Sequence, residues 1–268
     1  MFVEIQNIKI YYEAYGEGTP LILIHGHGES TYIWRHMMAI LAKKYSVYAL
    51  DLKGFGNSDK PLDGDYSIKS MSTLIINFMD KLQIQKAILV CHSFAGKIGI
   101  FTIVKHPKRI LGLVLLGCAI GEFKIWESFK IMQNKNIGEK IINSYNEKNV
   151  RLILERLHDK TYEISDKDIE ENIKIKGNIA RINAFLEYFI DFMKEDNYFK
   201  YLDNIDIPTL IIWGLNDNFI SVEHGEMISK KIKNSKLETL ENCGHSISED
   251  QPKRVSELII EYFINLYG

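Results

Sequence analysis

Three cysteines in 268 residues, Cys91, Cys118 and Cys243, are too few and too scattered for a disulfide framework. An apolar core must therefore hold the fold. Charge of one sign is also missing. The formal net charge is −2, and the lysines are scattered rather than gathered into a basic stripe. Nothing here suggests nucleic acid or an anionic membrane as a partner. The longest apolar run, Ile110 to Ile120, is far short of the roughly 20 residues a membrane-spanning helix needs. The opening Met1-Phe2-Val3-Glu4-Ile5 has no basic stretch followed by an apolar one, so no secretory signal is read. His25 and His27 lack a third ligand at a hydrolytic metal spacing. The expectations are a cytoplasmic location, no metal, no cofactor and a small-molecule substrate as the partner. The oligomeric state is left open.

What is present is an ordinary globular balance, 46% hydrophobic and 25% charged, organised in alternating segments. Phe2–Ile5 and Ile8–Tyr12 flank Gln6-Asn7 as a hairpin. Leu21-Ile22-Leu23-Ile24 is apolar on both faces, which suits a parallel strand covered on both sides. A helix near Tyr32–Lys44 precedes a strand at Ser46–Leu50. A second near Ile68–Leu82 precedes Ala87–Cys91, and a third from Phe94 to Lys105 precedes Ile110–Leu116. Such alternation implies a mostly parallel sheet with right-handed crossovers.

From Ala119 to Tyr201 the pattern is helical only. Trp126, Phe129, Phe185, Tyr188, Phe189, Phe192 and Met193 lie at amphipathic spacing. Sheet-like sequence resumes at Pro208–Trp213, followed by a helix near Val222–Lys233, a strand at Lys236–Leu240 and a last helix near Pro252–Leu266. The expected division is a core from 1 to 118, a helical insertion from 119 to 201, and the rest of the core from 202 to 268.

The chemistry concentrates at Ser93, in Ile88-Leu89-Val90-Cys91-His92-Ser93-Phe94-Ala95-Gly96. A serine on a sharp strand-to-helix turn has its hydroxyl thrust out above the sheet. It needs a base, and the base needs an orienting acid. Asp217 in Trp213-Gly214-Leu215-Asn216-Asp217 and His245 in Asn242-Cys243-Gly244-His245 supply these in the chain order Ser, Asp, His.

These pieces, with Leu23-Ile24-His25-Gly26-His27-Gly28 and Asp51-Leu52-Lys53-Gly54-Phe55-Gly56-Asn57-Ser58, resemble the α/β-hydrolase fold superfamily, in its branch of capped, cofactor-free serine enzymes. The likeness runs through most of the chain and fades between 119 and 201. It implies an eight-stranded, mostly parallel sheet flanked by helices, with a helical cap. It also implies catalytic roles for Ser93, Asp217 and His245, and an oxyanion hole from the backbone N–H groups of Phe94 and His27. Trp126 and Phe189 in the cap are candidates for the substrate pocket.

The elbow departs from Gly-x-Ser-x-Gly, with Cys91 and Ala95 in the glycine positions. Alanine adds one methyl; cysteine asks for a shifted backbone or a trimmed neighbour. Asp51 reads as a loop-bracing acid, His92 as packing beside the elbow, and Lys97 as a surface residue, with help to an acidic substrate as the alternative. A serine nucleophile argues against the dehalogenase and epoxide hydrolase members, which attack with aspartate. The implied reaction is hydrolysis of a small ester or thioester through an acyl-serine. Carbon–carbon hydrolysis by the same triad, or slow-turnover ligand sensing, are the alternatives.

Overall fold

The computed structural model describes residues 1–121, 130–175, 177–194 and 198–267. Its centre is a sheet of eight strands, β1 (Phe2–Ile5), β2 (Ile8–Tyr15), β3 (Thr19–Ile24), β4 (Tyr45–Leu50), β5 (Ala87–His92), β6 (Ile110–Leu116), β7 (Thr209–Gly214) and β8 (Ser235–Leu240). They lie in the order β1-β2-β4-β3-β5-β6-β7-β8. Pairing is antiparallel for β1 with β2 and β2 with β4, and parallel from β4 to β8. Gln6 and Asn7 turn the opening hairpin at φ 51° and 63°, the positive pair that matches the strands' own twist.

The central strands β3, β5, β6 and β7 are buried on both faces because their side chains alternate. Ile22, Ile24, Leu89, Cys91, Leu113, Leu115, Ile211 and Trp213 point into one apolar cluster. Leu21, Leu23, Ile88, Val90, Val114, Leu116, Leu210 and Ile212 point into the other. Successive side chains in a strand face opposite ways, so the continuous apolar runs are the two-sided requirement made visible.

Helix α1 (Met38–Leu41) covers the second face. On the first lie α2 (Ile68–Lys81) and α3 (Ala95–Lys105). Between β6 and β7 every described element is helical, including α4 (Lys135–Asn143), α5 (Glu147–Leu157), α6 (Asp166–Ile173) and α7 (Ile179–Met193). Next comes α8 (Val222–Lys231) on the first face. The short α9 (Ile247–Asp250) and long α10 (Pro252–Tyr267) then close the second.

One expected helix is broken. Thr31–Trp34 is a 3-10 turn and only Met38–Leu41 is α-helical. Bonds three residues back, such as Arg35 N–H to Tyr32 C=O and Met37 N–H to Trp34 C=O, rotate Ile33, Trp34, Met37, Met38 and Leu41 together onto the sheet.

The topology fixes where chemistry can occur. β3 stands between β4 and β5, so crossovers leave it in opposite directions. Loops at the carboxyl ends of strands around such a switch point enclose a crevice. Ile24 pairs with Cys91 across β3 and β5, which brings loop 25–28 beside residues 92–94.

Candidate active site

Ser93 sits at φ 51°, a strained value for a non-glycine residue. The turn is held by Ser93 N–H to Leu116 C=O at 2.9 Å and Gly96 N–H to Ser93 C=O at 3.1 Å. Cys91 is accommodated without loss of the elbow because α3 presents glycine to it. A Cβ on Gly99 would stand 2.7 Å from Cys91 Sγ, and one on Gly96 would stand 2.6 Å from Cys118 Cβ. The trimmed neighbour is Gly99.

The structure brings Ser93, His245 and Asp217 together. Asp217 Oδ1 accepts the N–H groups of Phe219 and Ile220, each at 2.8 Å. Its Oδ2 accepts His245 Nδ1–H at 2.8 Å. That contact makes Nδ1 the protonated nitrogen and leaves Nε2 to accept Ser93 Oγ–H at 2.9 Å. All three side chains are buried.

His27 and Phe94 lie beside the serine. A Cβ on Gly26 would be 3.0 Å from Ser93 Cβ, so the loop after β3 runs directly against it. The ring of His27 stacks on Phe94 at 5.1 Å. Its Nε2–H donates to Phe185 C=O on α7 at 2.8 Å. Burial pushes the His27 imidazole down to about 4, so it is neutral at physiological pH.

Behind the elbow is an ion pair. Glu29 Oε2 accepts the Gly26 N–H at 2.6 Å and His92 Nδ1–H at 2.8 Å. His92 Nε2–H donates to His245 C=O at 2.9 Å. Both partners of the ring only accept, so both nitrogens carry protons. Burial opposes that charge, but the Glu29 carboxylate outweighs it and raises His92 to about 9. Burial likewise works against the Glu29 charge, yet His92 and the Gly26 N–H bring it down to about 2. The pair ties the loop after β3 to the loop bearing His245.

Asp250 is a second brace. Its Oδ2 accepts Gly244 N–H at 2.7 Å and Asp159 N–H at 2.9 Å, and its Oδ1 faces His158 Nδ1 at 2.7 Å. The helical insertion thus reaches the base directly, and Leu157 C=O also accepts the His245 N–H.

A cavity of about 300 Å³ opens over Ser93, lined among others by His27, Phe94, Leu154, Phe185, Phe219 and His245. Of the expected pocket residues, Trp126 lies outside the described residues. Phe189 is a correction: it has no exposed surface and is not among the cavity's lining residues. It packs behind His27 and Phe94, at ring distances of 5.5 and 6.2 Å. Phe185, one turn earlier, faces the cavity instead.

Lys97 also departs from expectation. It is buried, donates Nζ–H to Phe192 C=O at 2.6 Å and stands 3.9 Å over the Phe192 ring. It is a core cation solvated by the insertion. Asp51 is the loop brace expected, accepting Thr31 N–H and Asn57 N–H, each at 2.6 Å. His25 is committed on both nitrogens, to Gly26 C=O and Leu52 N–H.

The sequence profile of the alpha/beta hydrolase fold family matches residues 19–140 and 174–252. The chain belongs to that family. An uncharacterized hydrolase, YugF of Bacillus subtilis (strain 168), is 28% identical over 271 residues, covering 96% of this chain and 95% of its own. The soluble epoxide hydrolase of Corynebacterium sp. (strain C12) is 27% identical over 278 residues, covering 98% and 96%. Among solved structures, a meta-cleavage product hydrolase, CumD of Pseudomonas fluorescens IP01, superposes with a TM-score of 0.84 at 26% identity, covering 99% of this chain and 98% of that one. These three likenesses cover 96–99% of the chain, whereas the family profile leaves out residues 141–173 of the insertion. Among the described residues no helix is long and apolar enough to cross a membrane.

Proposed function

We propose that this hydrolase cleaves a small ester or thioester through an acyl-Ser93 intermediate. The observation that carries the reading is the 2.9 Å and 2.8 Å chain of contacts from Ser93 through His245 to Asp217 beneath an accessible cavity. His245 Nε2 takes the Ser93 proton as Oγ attacks the substrate carbonyl. Asp217 keeps the proton on Nδ1 and stabilises the imidazolium that forms. Charge developing on the carbonyl oxygen falls to the backbone N–H groups of His27 and Phe94. Collapse breaks the bond to the leaving group, which takes the proton from His245. Water, activated by the same imidazole, then attacks the acyl-serine, and Ser93 regains its proton.

The epoxide hydrolase likeness does not transfer as an activity. A serine at the elbow argues against that reaction, which the epoxide hydrolase branch of the superfamily runs with an attacking aspartate. The likeness to CumD favours a second reading, hydrolysis of a carbon–carbon bond beside a carbonyl, which the same triad can drive. A panel of p-nitrophenyl esters of increasing acyl length, set beside a chromogenic β-diketone, tests both with wild type and Ser93→Ala. Loss of the serine is expected to lower turnover on the order of a millionfold. Ester turnover equal in the two proteins overturns the serine reading. Turnover of the diketone alone moves carbon–carbon hydrolysis to first place.

A further inference from the structure

The cavity over Ser93 is lined by six side chains that ordinarily carry charge: Glu29, Asp168, Glu171, Lys174, Arg181 and Glu249. Five are matched within the protein. Glu29 pairs with His92, and Asp168 and Glu249 share Arg35. Glu171 pairs with Lys174 and Lys167. Arg181 is the exception. Among the described residues no carboxylate pairs with its guanidinium, which cannot shed its charge.

A second cation stands beside it. Lys60 feels both burial and the Arg181 charge, which together bring it down to about 8, with Asp51 and Asp59 offsetting part of the effect. Among the described residues Lys60 Nζ donates only to the Ser58 carbonyl. Arg181 lines the cavity together with Gly56 and Asn57, and Lys60 beside it, which Asp51 and Asp59 partly offset, offers it no counter-charge. Ser93 lines the same cavity as Arg181. Arg181 lies four residues before Phe185, about one helical turn or 6 Å along α7. Phe185 itself touches the oxyanion loop, its ring 3.8 Å from that of His27.

An unmatched guanidinium in a wall whose other charges are neutralised is a recognition element looking for an anion. Its planar fork suits a carboxylate in particular. We infer that Arg181 forms an anion subsite, so that the substrate proposed above is an ester bearing a carboxylate, held by Arg181 in the cavity wall. This rests on the hydrolytic reading for its chemistry, but not for its binding.

Two isosteric pairs of probes test it. Mono-p-nitrophenyl glutarate against p-nitrophenyl pentanoate places the carboxylate in the acyl part. The ester 4-butanoyloxybenzoate against its methyl ester places it in the leaving group. For one pair, the ratio of kcat/KM for the anionic over the neutral ester is expected to fall about ten- to a hundredfold in Arg181→Gln. The loss should come chiefly from KM and be partly restored in Arg181→Lys. In Ser93→Ala, where turnover is blocked, calorimetry reads binding of the same probes. Adding Arg181→Gln should weaken the anionic probe by a similar factor, and added salt should mimic the change. Ratios and affinities that ignore residue 181 in both pairs overturn the subsite. If no ester is cleaved in a Ser93-dependent way, the ester reading falls, and the binding arm alone decides the subsite.

Discussion

Glu29 and His92 meet at 2.8 Å behind the elbow, and the loops bearing Gly26 and His245 both hang from their contact. Glu29 also holds the Gly26 N–H and His92 also holds the His245 carbonyl. The loop after β3 and the loop bearing His245 are thereby registered to each other through one ion pair.

The pair leaves a signature in pH. His92, at about 9 against 6.5 for a free imidazole, stabilises the fold fully below pH 6.5, and the contribution is lost as pH rises through 9. Glu29, at about 2 against 4.5, contributes above pH 4.5 and loses its contribution as pH falls towards 2. Glu29→Gln is expected to cost about 1–3 kcal/mol at pH 6. The variant should also lose less stability than wild type between pH 6.5 and 9. Urea denaturation across that range checks this; parallel pH curves for the two proteins would contradict it.

Asp217→Asn isolates the tautomer. The asparagine oxygen will face the Phe219 and Ile220 N–H donors, which turns its NH2 towards His245 Nδ1. The imidazole must then carry its proton on Nε2, where it cannot accept from Ser93. Turnover should fall by about ten-thousandfold, read as kcat on a saturating p-nitrophenyl ester. A loss under tenfold would show that Asp217 does not orient the base.

Gly99 and Cys91 should behave as one unit. Gly99→Ala places a methyl 2.7 Å from Cys91 Sγ and is expected to destabilise by about 1–3 kcal/mol through overpacking. In a Cys91→Ala background the same change should cost markedly less. A double-mutant cycle in urea with no coupling between the sites would refute the compensation.

Asp250 links the insertion to the base. Asp250→Ala orphans the buried N–H groups of Gly244 and Asp159 and leaves His158 without its carboxylate. A loss of about 3 kcal/mol in stability is expected, with kcat reduced about a hundredfold by misplacement of His245. An unchanged kcat in the folded variant would mean that Gly244 does not need the carboxylate to position the base.

Most of the strands, and the grouping of Ser93, Asp217 and His245, were legible in the sequence. Buried parallel strands need uninterrupted apolar runs, and Ser93 and Asp217 each stand just past the end of one, whereas His245 follows the half-exposed edge strand Ser235–Leu240 and was marked by its Gly-His loop. Side-chain pairings that depend on distant loops left no such trace. Nothing in the spacing of Glu29 and His92, or of His158 and Asp250, announces that they meet. The sign of α7's rotation was equally hidden. Phe185 and Phe189 share one amphipathic face, and only packing decides that the first meets the cavity and the second the core. Lys97 was misread because burying a lysine is costly unless a carbonyl and an aromatic face replace water, and Phe192 supplies both. The helix expected from 32 to 44 failed because five bulky apolar residues had to reach the same sheet face.

The central claim is that Ser93 becomes covalently acylated. The direct measurement is intact-protein and peptide mass spectrometry on enzyme acid-quenched early in turnover of p-nitrophenyl butyrate. The account predicts a mass increase of one butyryl group, on the peptide carrying Ser93, that is absent in Ser93→Ala and accumulates in a variant slowed at deacylation. Full turnover with no adduct in wild type, and undiminished turnover in Ser93→Ala, would contradict it.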